Sequence, residues 1–150
     1  MCIRDRDWLI KNQNTDGGWG YVRQTGRSTG AMTACALTGL QALAKRLEKS
    51  AARDAVINRG KAWLQARWSP LSNPGSKSWN MIYLTWTCRA LAGTETLGQI
   101  PWERQVCEAL LNRQTSNGSF TETTLKSPVI STAFALQILK HCRSAEKAAR

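Results

Sequence analysis

The sequence predicts an all-α protein made of repeated helix pairs. Segments that are apolar on nearly every side alternate with segments that carry one apolar stripe at helical spacing, a pattern typical of alternating buried and amphipathic helices. An apolar anchor followed by a glycine turn recurs at 8–19 and 110–120, and its front half recurs at 63–64. The period is about 50 residues, which is typical of stacked supersecondary units.

The first copy of the motif is the most complete and runs from Trp8 to Trp19. Leu9 and Gln13 are four residues apart, so they share one face of a helix. The string Asp-Gly-Gly at 16–18 predicts a tight turn, because glycine tolerates the positive φ that ends a helix. We expect Trp19 to fold back on this helix and the Gln13 amide to bind backbone groups at a neighbouring helix end.

Two other copies are less complete. The third copy follows the first by 101 positions, and the second keeps a Trp-Leu pair 55 positions after the first. Trp68 stands where the second copy would have Gln, and Ala109 stands where the third would have an aromatic residue. The predicted structural motif comprises Trp8, Leu9, Gln13, Asp16, Gly17, Gly18, Trp19, Trp63, Leu64, Gln114, Gly118 and Phe120.

Three helices are predicted in the first half of the chain. The first, at about 5–14, begins with carboxylates that suit the positive end of the helix dipole. The second, at about 29–47, is apolar on almost every side and is expected to be buried by several neighbours. The third, at about 51–68, carries a single apolar stripe and is expected to be an outer, amphipathic helix.

The second half repeats this alternation. A mostly apolar helix is predicted at about 79–92, and an amphipathic helix is predicted from Pro101, a residue favoured at the first helical position, to Gln114. A further apolar helix is predicted from 127 to about 139. The tail from His141 is polar and basic, so we expect it to fray.

The string Trp-Leu-x3-Gln-x3-Gly-x-Trp at 8–19 resembles the QW repeat of the terpene cyclase and protein prenyltransferase superfamily. The string Arg-Gly-x2-Trp-Leu at 59–64 resembles the front half of that motif. Ser28-Thr29 followed by 33–37, Thr-Ala-Cys-Ala-Leu, resembles the inner helix after the motif in squalene–hopene cyclases. The resemblance covers nearly the whole chain and implies an α/α toroid, with inner and outer helices around a central cavity.

The resemblance also implies an incomplete ring. Six helices make three pairs, and a closed toroid of this superfamily needs about twice as many. We therefore expect a repeat domain at 7–140, followed by a polar tail at 141–150, that either belongs to a larger ring or assembles with a partner. The start at 1–6 matches nothing in the repeat, and we interpret it as a non-native start on a truncated gene, with a bacterial source expected.

Catalytic chemistry of the resembling families needs residues that this sequence lacks. Class II terpene cyclases use an Asp-x-Asp-Asp acid, and the nearest string, Asp-Arg-Asp-Trp at 5–8, lacks the last Asp. No Asp-rich magnesium site is present, and the single His, His141 beside Cys142, cannot complete a zinc site. We therefore predict no catalytic residue, no metal and no cofactor in this chain.

Other candidate contacts come from carboxylates and aromatic residues. Glycosidases on similar helical barrels use two carboxylates, and Glu122, which follows the third glycine turn, is the candidate that can face the ring mouth. Glu103 and Glu108 are expected to be solvated on an outer helix. For an apolar or isoprenoid ligand, the inner helices offer a candidate cavity wall at Tyr83, Trp86 and Phe134.

Charge and composition limit the classes of partner and the cellular location that the sequence predicts. The net charge is +11, and its densest basic run at 45–61 suits either polyanions or a solvated helix–loop–helix corner, which we favour because no nucleic-acid motif accompanies it. The five cysteines are scattered, which argues against a disulfide framework. No apolar run is long enough for a membrane helix and no signal peptide is visible, so localisation stays open between cytoplasmic and secreted.

Two functions follow as expectations. The leading one is a non-catalytic prenyltransferase/squalene-oxidase-type repeat scaffold or binding module, which pairs with the rest of its toroid or with itself. The alternative is a C-terminal fragment of a squalene–hopene-cyclase-like enzyme whose acid motif lies in sequence outside this chain.

Overall fold

The computed structural model describes residues 3–22, 26–44 and 50–148, with side chains described for 4–22, 26–44 and 50–141. Across these ranges the regular elements are helices, accompanied by isolated β-bridges. The prediction of an all-α fold is therefore confirmed. The helices are α1 (Ile3–Lys11), α2 (Gly30–Ala44), α3 (Ala51–Ala66), α4 (Asn80–Ala90), α5 (Trp102–Leu111) and α6 (Pro128–Ala148).

The helices form two sets that differ in their neighbours. The even-numbered helices pack in succession, α2 against α4 and α4 against α6. The odd-numbered helices lie against this row, with α1 and α3 on α2 and α5 on α6. This arrangement matches the apolar character of the even helices, because each of them needs cover on more than one side. Closure of the row into a toroid stays a prediction.

The hydrophobic core runs along the contacts between successive helix pairs. Trp19, Trp63 and Trp102 are all buried, and they pack with leucines such as Leu37 and Leu64. Large aromatic side chains bury much apolar area, so these rings dominate the packing energy. Within the described part of the chain, no helix combines the length and the apolar character that crossing a bilayer requires.

Two features of the helices differ from the sequence prediction. Helix α6 continues to Ala148, so most of the segment predicted to fray is helical. Trp8, predicted as an anchor of the first motif, is 55% exposed, and α1 makes its main helix contact with α2. The predicted end of the second helix near residue 47 lies outside the described residues.

The three cysteines with described side chains lie in different environments. Cys88 is a buried free thiol and Cys35 is a half-buried one, and burial raises the pKa of the Cys88 thiol to about 12. Cys107 is disulfide-bonded, and its partner lies outside the described side chains. The scattered cysteines argued against a disulfide framework, and the spacing did not indicate the single disulfide at Cys107.

Candidate functional site

The polar side chains of the motif meet at the boundaries between helix pairs. We call α1–α2, α3–α4 and α5–α6 repeats one, two and three, and the boundary between consecutive repeats a seam. The first seam joins the glycine turn of repeat one to α3, and the second seam joins Trp68, just after α3, to α5. The candidate site is therefore a set of cross-repeat contacts, and its function is tied to how the repeats hold together.

Gln13 links the first seam through both ends of its amide. Its Nε2 donates to the carbonyl of Gly17 at 2.8 Å and to the carbonyl of Val56 in α3 at 2.9 Å. Its Oε1 accepts from Arg59 Nε at 2.9 Å and from Arg59 Nη2 at 2.7 Å. One side chain thus ties its own turn to the next outer helix. The amide lies against the neighbouring outer helix, but it binds Val56 within α3 and not the helix end that the sequence predicted.

Glycines allow the close approach that this seam requires. Gly17 has φ 89° and its counterpart Gly118 has φ 84°, a region that glycine enters without a steric penalty. At Gly60, an added Cβ would lie 2.8 Å from the Trp19 ring and 2.9 Å from a methyl group of Leu37. The front half of the motif at 59–64 therefore contains glycine because α3 lies directly against the first repeat.

Trp19 is held at both its backbone and its ring. Its indole Nε1 donates to the carbonyl of Leu9 at 3.0 Å, and its backbone N–H donates to Thr33 Oγ1 at 3.0 Å. In the third copy, the backbone N–H of Phe120 donates to Thr132 Oγ1 at the same distance of 3.0 Å. The turn and the start of the inner helix are therefore joined in the same way in both copies.

Asp16 receives three donors and connects the turn to α3. Its Oδ1 accepts from Ser28 Oγ at 2.7 Å and from the backbone N–H of Gly18 at 3.0 Å, and its Oδ2 accepts from Trp63 Nε1 at 2.7 Å. Burial alone would raise the pKa of the Asp16 carboxyl, but these hydrogen bonds outweigh burial and lower the pKa below its usual value. The carboxylate is thereby kept ionised as a structural acceptor.

The second seam contains an equivalent pair with different chemistry. Trp68 Nε1 donates to Gln105 Oε1 in α5 at 2.6 Å. Trp68 stands 55 positions after Gln13, and Gln105 stands 46 positions after Arg59, as Ala109 does after Trp63. We call each such side-chain pair a clamp pair. In the sequence, Trp68 departs from the motif. The matching offsets of Trp68 and Gln105 show that this pair is equivalent to Gln13 and Arg59.

Each seam also supplies a cap to the inner helix of the preceding repeat. Asn73 Oδ1 accepts from the backbone N–H of Ala31 at 3.0 Å, at the start of α2. Glu122 accepts from the backbone N–H groups of Asn80 and Met81, the latter at 3.1 Å, at the start of α4. Glu122 is thus a helix cap, which its position after the glycine turn did not reveal. Carboxylates at this place also favour the helix dipole.

The candidate cavity wall is only partly accessible. Tyr83 has 0% exposure, so it presents no surface to a ligand. Its ring packs closely against Gly30, where an added Cβ would lie 2.6 Å from the Tyr83 ring. Trp86 and Phe134 are half-buried, and the Arg89 guanidinium lies 5.0 Å from the centre of the Trp86 ring.

Two cavities lie at the seams, and both have charged walls. One of about 300 Å³ lies between two loops and is lined mainly by polar side chains, including Lys77, Arg113 and Glu122. The other, of about 390 Å³, lies beside Asp16 and Arg67. Neither has the apolar lining that an isoprenoid would need. Among the described side chains, no group of three His, Cys, Asp or Glu residues gathers to hold a metal ion.

Comparisons with known proteins relate the chain to one group of enzymes. No protein-family model matches it, and no solved structure matches it. A curated relative, enfumafungin synthase from the fungus Hormonema carpetanum, is 44% identical to it over 73 residues. That match covers 43% of this chain, and this chain spans only 5% of the relative's length. Because the relative is fungal, the expectation of a bacterial origin gains no support. The similarity supports a relation to terpene cyclases and nothing narrower.

Proposed function

We propose that this chain is a non-catalytic, three-pair segment of a larger terpene-cyclase-like α/α toroid. The similarity to enfumafungin synthase carries the proposal, because it agrees with the earlier resemblance of the motif to the QW repeat. The segment's role is to hold part of the ring in place. The residues that supply the catalytic acid would lie in other parts of the larger protein.

The use of the polar side chains supports this role. Gln13, Asp16 and Glu122 are polar groups that the sequence singles out, and each forms a hydrogen bond that links one repeat to the next. A general acid must instead reach the atom it protonates. These side chains are therefore suited to joining repeats, which is the task of a scaffold.

An accessory binding role has one observation in its favour. Trp86 in α4 and Phe134 in α6 remain half-buried, on two inner helices that pack together. In a larger toroid, the Trp86 and Phe134 side chains would form part of an apolar wall for an isoprenoid. Tyr83 would support that wall from behind because it is fully buried.

Assay of the chain on squalene tests the proposal. The purified chain is incubated with squalene, and the products are analysed by gas chromatography and mass spectrometry beside a protein-free blank. We expect no cyclised triterpene. Any cyclised product above the blank would overturn the non-catalytic role.

Recovery of the complete gene tests the larger ring. We expect its sequence upstream of residue 7 to encode an Asp-x-Asp-Asp repeat domain, and the full-length product to cyclise a triterpene precursor. An Asp→Asn change at the central acid supplies the matched control, since it should abolish cyclisation while leaving the fold intact. A complete gene without any such acid motif would contradict the proposal.

A further inference from the structure

We propose that the exposed end of repeat three is a docking surface for one more helix pair of this same repeat. The surface, which we call the terminal face, is formed by Gln114 and by one side of α6 with Val129, Ile130, Ala133 and Leu136. This docking surface deepens the proposed function, because it names the partner that continues the row of helices. The proposal rests on that function only in treating the chain as part of a longer array. Three independent features of the two internal seams recur at this face in half-completed form.

The first feature is the apolar side of α6. Val129, Ile130 and Leu136 are 79%, 47% and 61% exposed, and Ala133 is also exposed. An offset of 99 positions relates α6 to α2, as Thr132 in Thr-Ala-Phe-Ala-Leu follows Thr33 in Thr-Ala-Cys-Ala-Leu. The counterparts of these residues are buried in α2. They are Gly30, Ala31, Ala34 and Leu37.

The same positions are buried in α4. The caps at Ala31 and Met81 relate α2 to α4 by 50 positions, which makes Asn80, Met81, Leu84 and Thr87 the counterparts in α4. All four are buried, and three of them have 0% exposure. A face that two repeats bury and the third exposes indicates a missing neighbour, because an apolar stripe on a helix is stable only when covered.

The second feature is a half-filled clamp pair. Gln114 Nε2 donates to the carbonyl of Gly118 at 3.0 Å, as Gln13 does to Gly17. Within the described part of the chain, the side-chain amide of Gln114 makes no hydrogen bond to another outer helix. Gln13 and Trp68 are half-buried by the helix that follows them, whereas Gln114 is exposed.

The third feature is the start of α6, which has only a local cap. The backbone N–H of Ile130 donates to Ser127 Oγ at 3.4 Å, a long hydrogen bond. The counterparts of Ile130 in the other inner helices, Ala31 and Met81, instead bind Asn73 and Glu122 from the next repeat. A polar side chain from a following loop would complete α6 in the same way.

These features define the chemistry of the partner. It must offer an outer helix with a donor to the side-chain oxygen, Oε1, of Gln114 and with a small residue one position after that donor. It must also offer an Asn or Glu in the loop before its inner helix. Repeat two has this set in Arg59, Gly60 and Asn73, all of which are already used at the first seam. A second copy of the whole chain fits less well, because its net charge of +11 opposes close packing of two like-charged molecules.

The test extends the full chain by one repeat. A copy of residues 45–98 is joined after Arg150, so that the appended helix pair brings with it the segment between α2 and α3 and the Ser50 cap of α3. Amide hydrogen exchange is measured at Ile130 to Leu136 in the parent and in the extended chain. We expect exchange to slow by about tenfold or more in the extended chain, because docking would couple α6 to a cooperative unit.

Two matched variants identify the contacts. Leu136→Gln is expected to leave the denaturation midpoint of the parent nearly unchanged, because the side chain is exposed there, and to lower it clearly in the extended chain. Arg59→Ala in the appended copy alone should lose exchange protection, and combining it with Gln114→Ala should add little, because the two side chains would form one clamp pair.

The outcomes separate the alternatives. Unchanged exchange at α6 in the extended chain, including the case in which the appended pair stays unfolded, would overturn the proposal. Protection that appears in the parent as its concentration rises, to the same degree as in the extended chain, would assign the face to a second copy instead. None of these readouts involves cyclisation, so a negative result leaves the proposed function standing, and cyclase activity in the parent would leave the docking surface standing.

Discussion

At the scale of single residues, Gln13 and Gln114 place the same side chain in two different surroundings. Both bind the carbonyl of their own glycine turn, but only Gln13 reaches the next outer helix through Val56 and Arg59. The difference lies in the neighbour and not in the motif. The sequence can therefore identify the side chain, whereas its contribution to stability depends on the repeat that follows.

Replacing Gln13 should measure how much the cross-repeat hydrogen bonds contribute to the free energy of unfolding. Gln13→Ala is expected to lower the free energy of unfolding by about 1–3 kcal/mol, because buried backbone partners are left unsatisfied. Gln114→Ala is the matched control and should cost less, since its amide is exposed. Chemical denaturation of both variants is the measurement. Equal losses, or a Gln13→Ala variant as stable as the parent, would show that the first seam does not depend on this amide.

Trp19 should be coupled to Gln13. Trp19→Ala is expected to cost about 3–5 kcal/mol because a buried ring is removed from the core. The double variant should lose less stability than the sum of the single losses, because the two side chains stabilise the same turn. Gln13 binds the carbonyl of Gly17, and Trp19 binds the carbonyl of Leu9. Strictly additive losses in a double-mutant cycle would contradict this coupling.

Asp16 should make the first seam sensitive to acid. Its carboxyl has a lowered pKa in the folded protein, so the stabilisation is fully present above the unfolded pKa near 3.8 and is lost as pH falls through the folded pKa. Asp16→Asn should therefore be less stable than the parent at pH 7. The difference between the two should shrink below about pH 4 in denaturation curves measured at several pH values. A difference that stays constant into acid would exclude the carboxylate as the stabilising group.

At the scale of helices, close approach of α3 to the first repeat depends on Gly60. An added Cβ there meets the Trp19 ring at 2.8 Å, so Gly60→Ala should destabilise the protein by about 1–3 kcal/mol through overpacking. Gly39→Ala in α2 is the control, because its added Cβ meets only Leu9 at an ordinary 3.5 Å. That change should be neutral or stabilising, since alanine favours a helix more than glycine does. Thermal unfolding of the two variants checks the contrast, and similar melting temperatures would refute it.

The helices themselves could be predicted from periodicity, but the contacts at their ends could not. Apolar patterns place all six helices because burial demands those patterns wherever the partner lies. Exposure of Trp8 and burial of Tyr83 depend on which helix packs beside them. Asn73 caps a residue 42 positions away, and Glu122 caps one 41 positions away. The sequence around a polar loop residue does not indicate such a distant partner.

At the scale of the whole molecule, the two internal seams are alike in three respects, and the candidate site is their sum. Each has a clamp pair, a cap on the preceding inner helix and packing between inner helices. The motif repeat in the sequence predicts that the copies resemble one another. It does not predict that Trp68 and Gln105 replace the Gln and Arg of the first seam, because different side chains can make an equivalent hydrogen bond.

The isolated chain should associate weakly through its terminal face. Val129, Ile130 and Leu136 leave an apolar surface uncovered, whereas the net charge of +11 keeps molecules apart. Added salt screens that repulsion over distances of about 8–10 Å near physiological ionic strength, so association should increase with both protein concentration and salt. Light scattering at low and high values of each is the measurement. Leu136→Lys should suppress association by placing charge within the apolar surface, whereas a substitution at the opposite end of the row, Trp8→Lys, should suppress it less. A parent that stays monomeric under all four conditions would show that the uncovered side of α6 does not drive self-association.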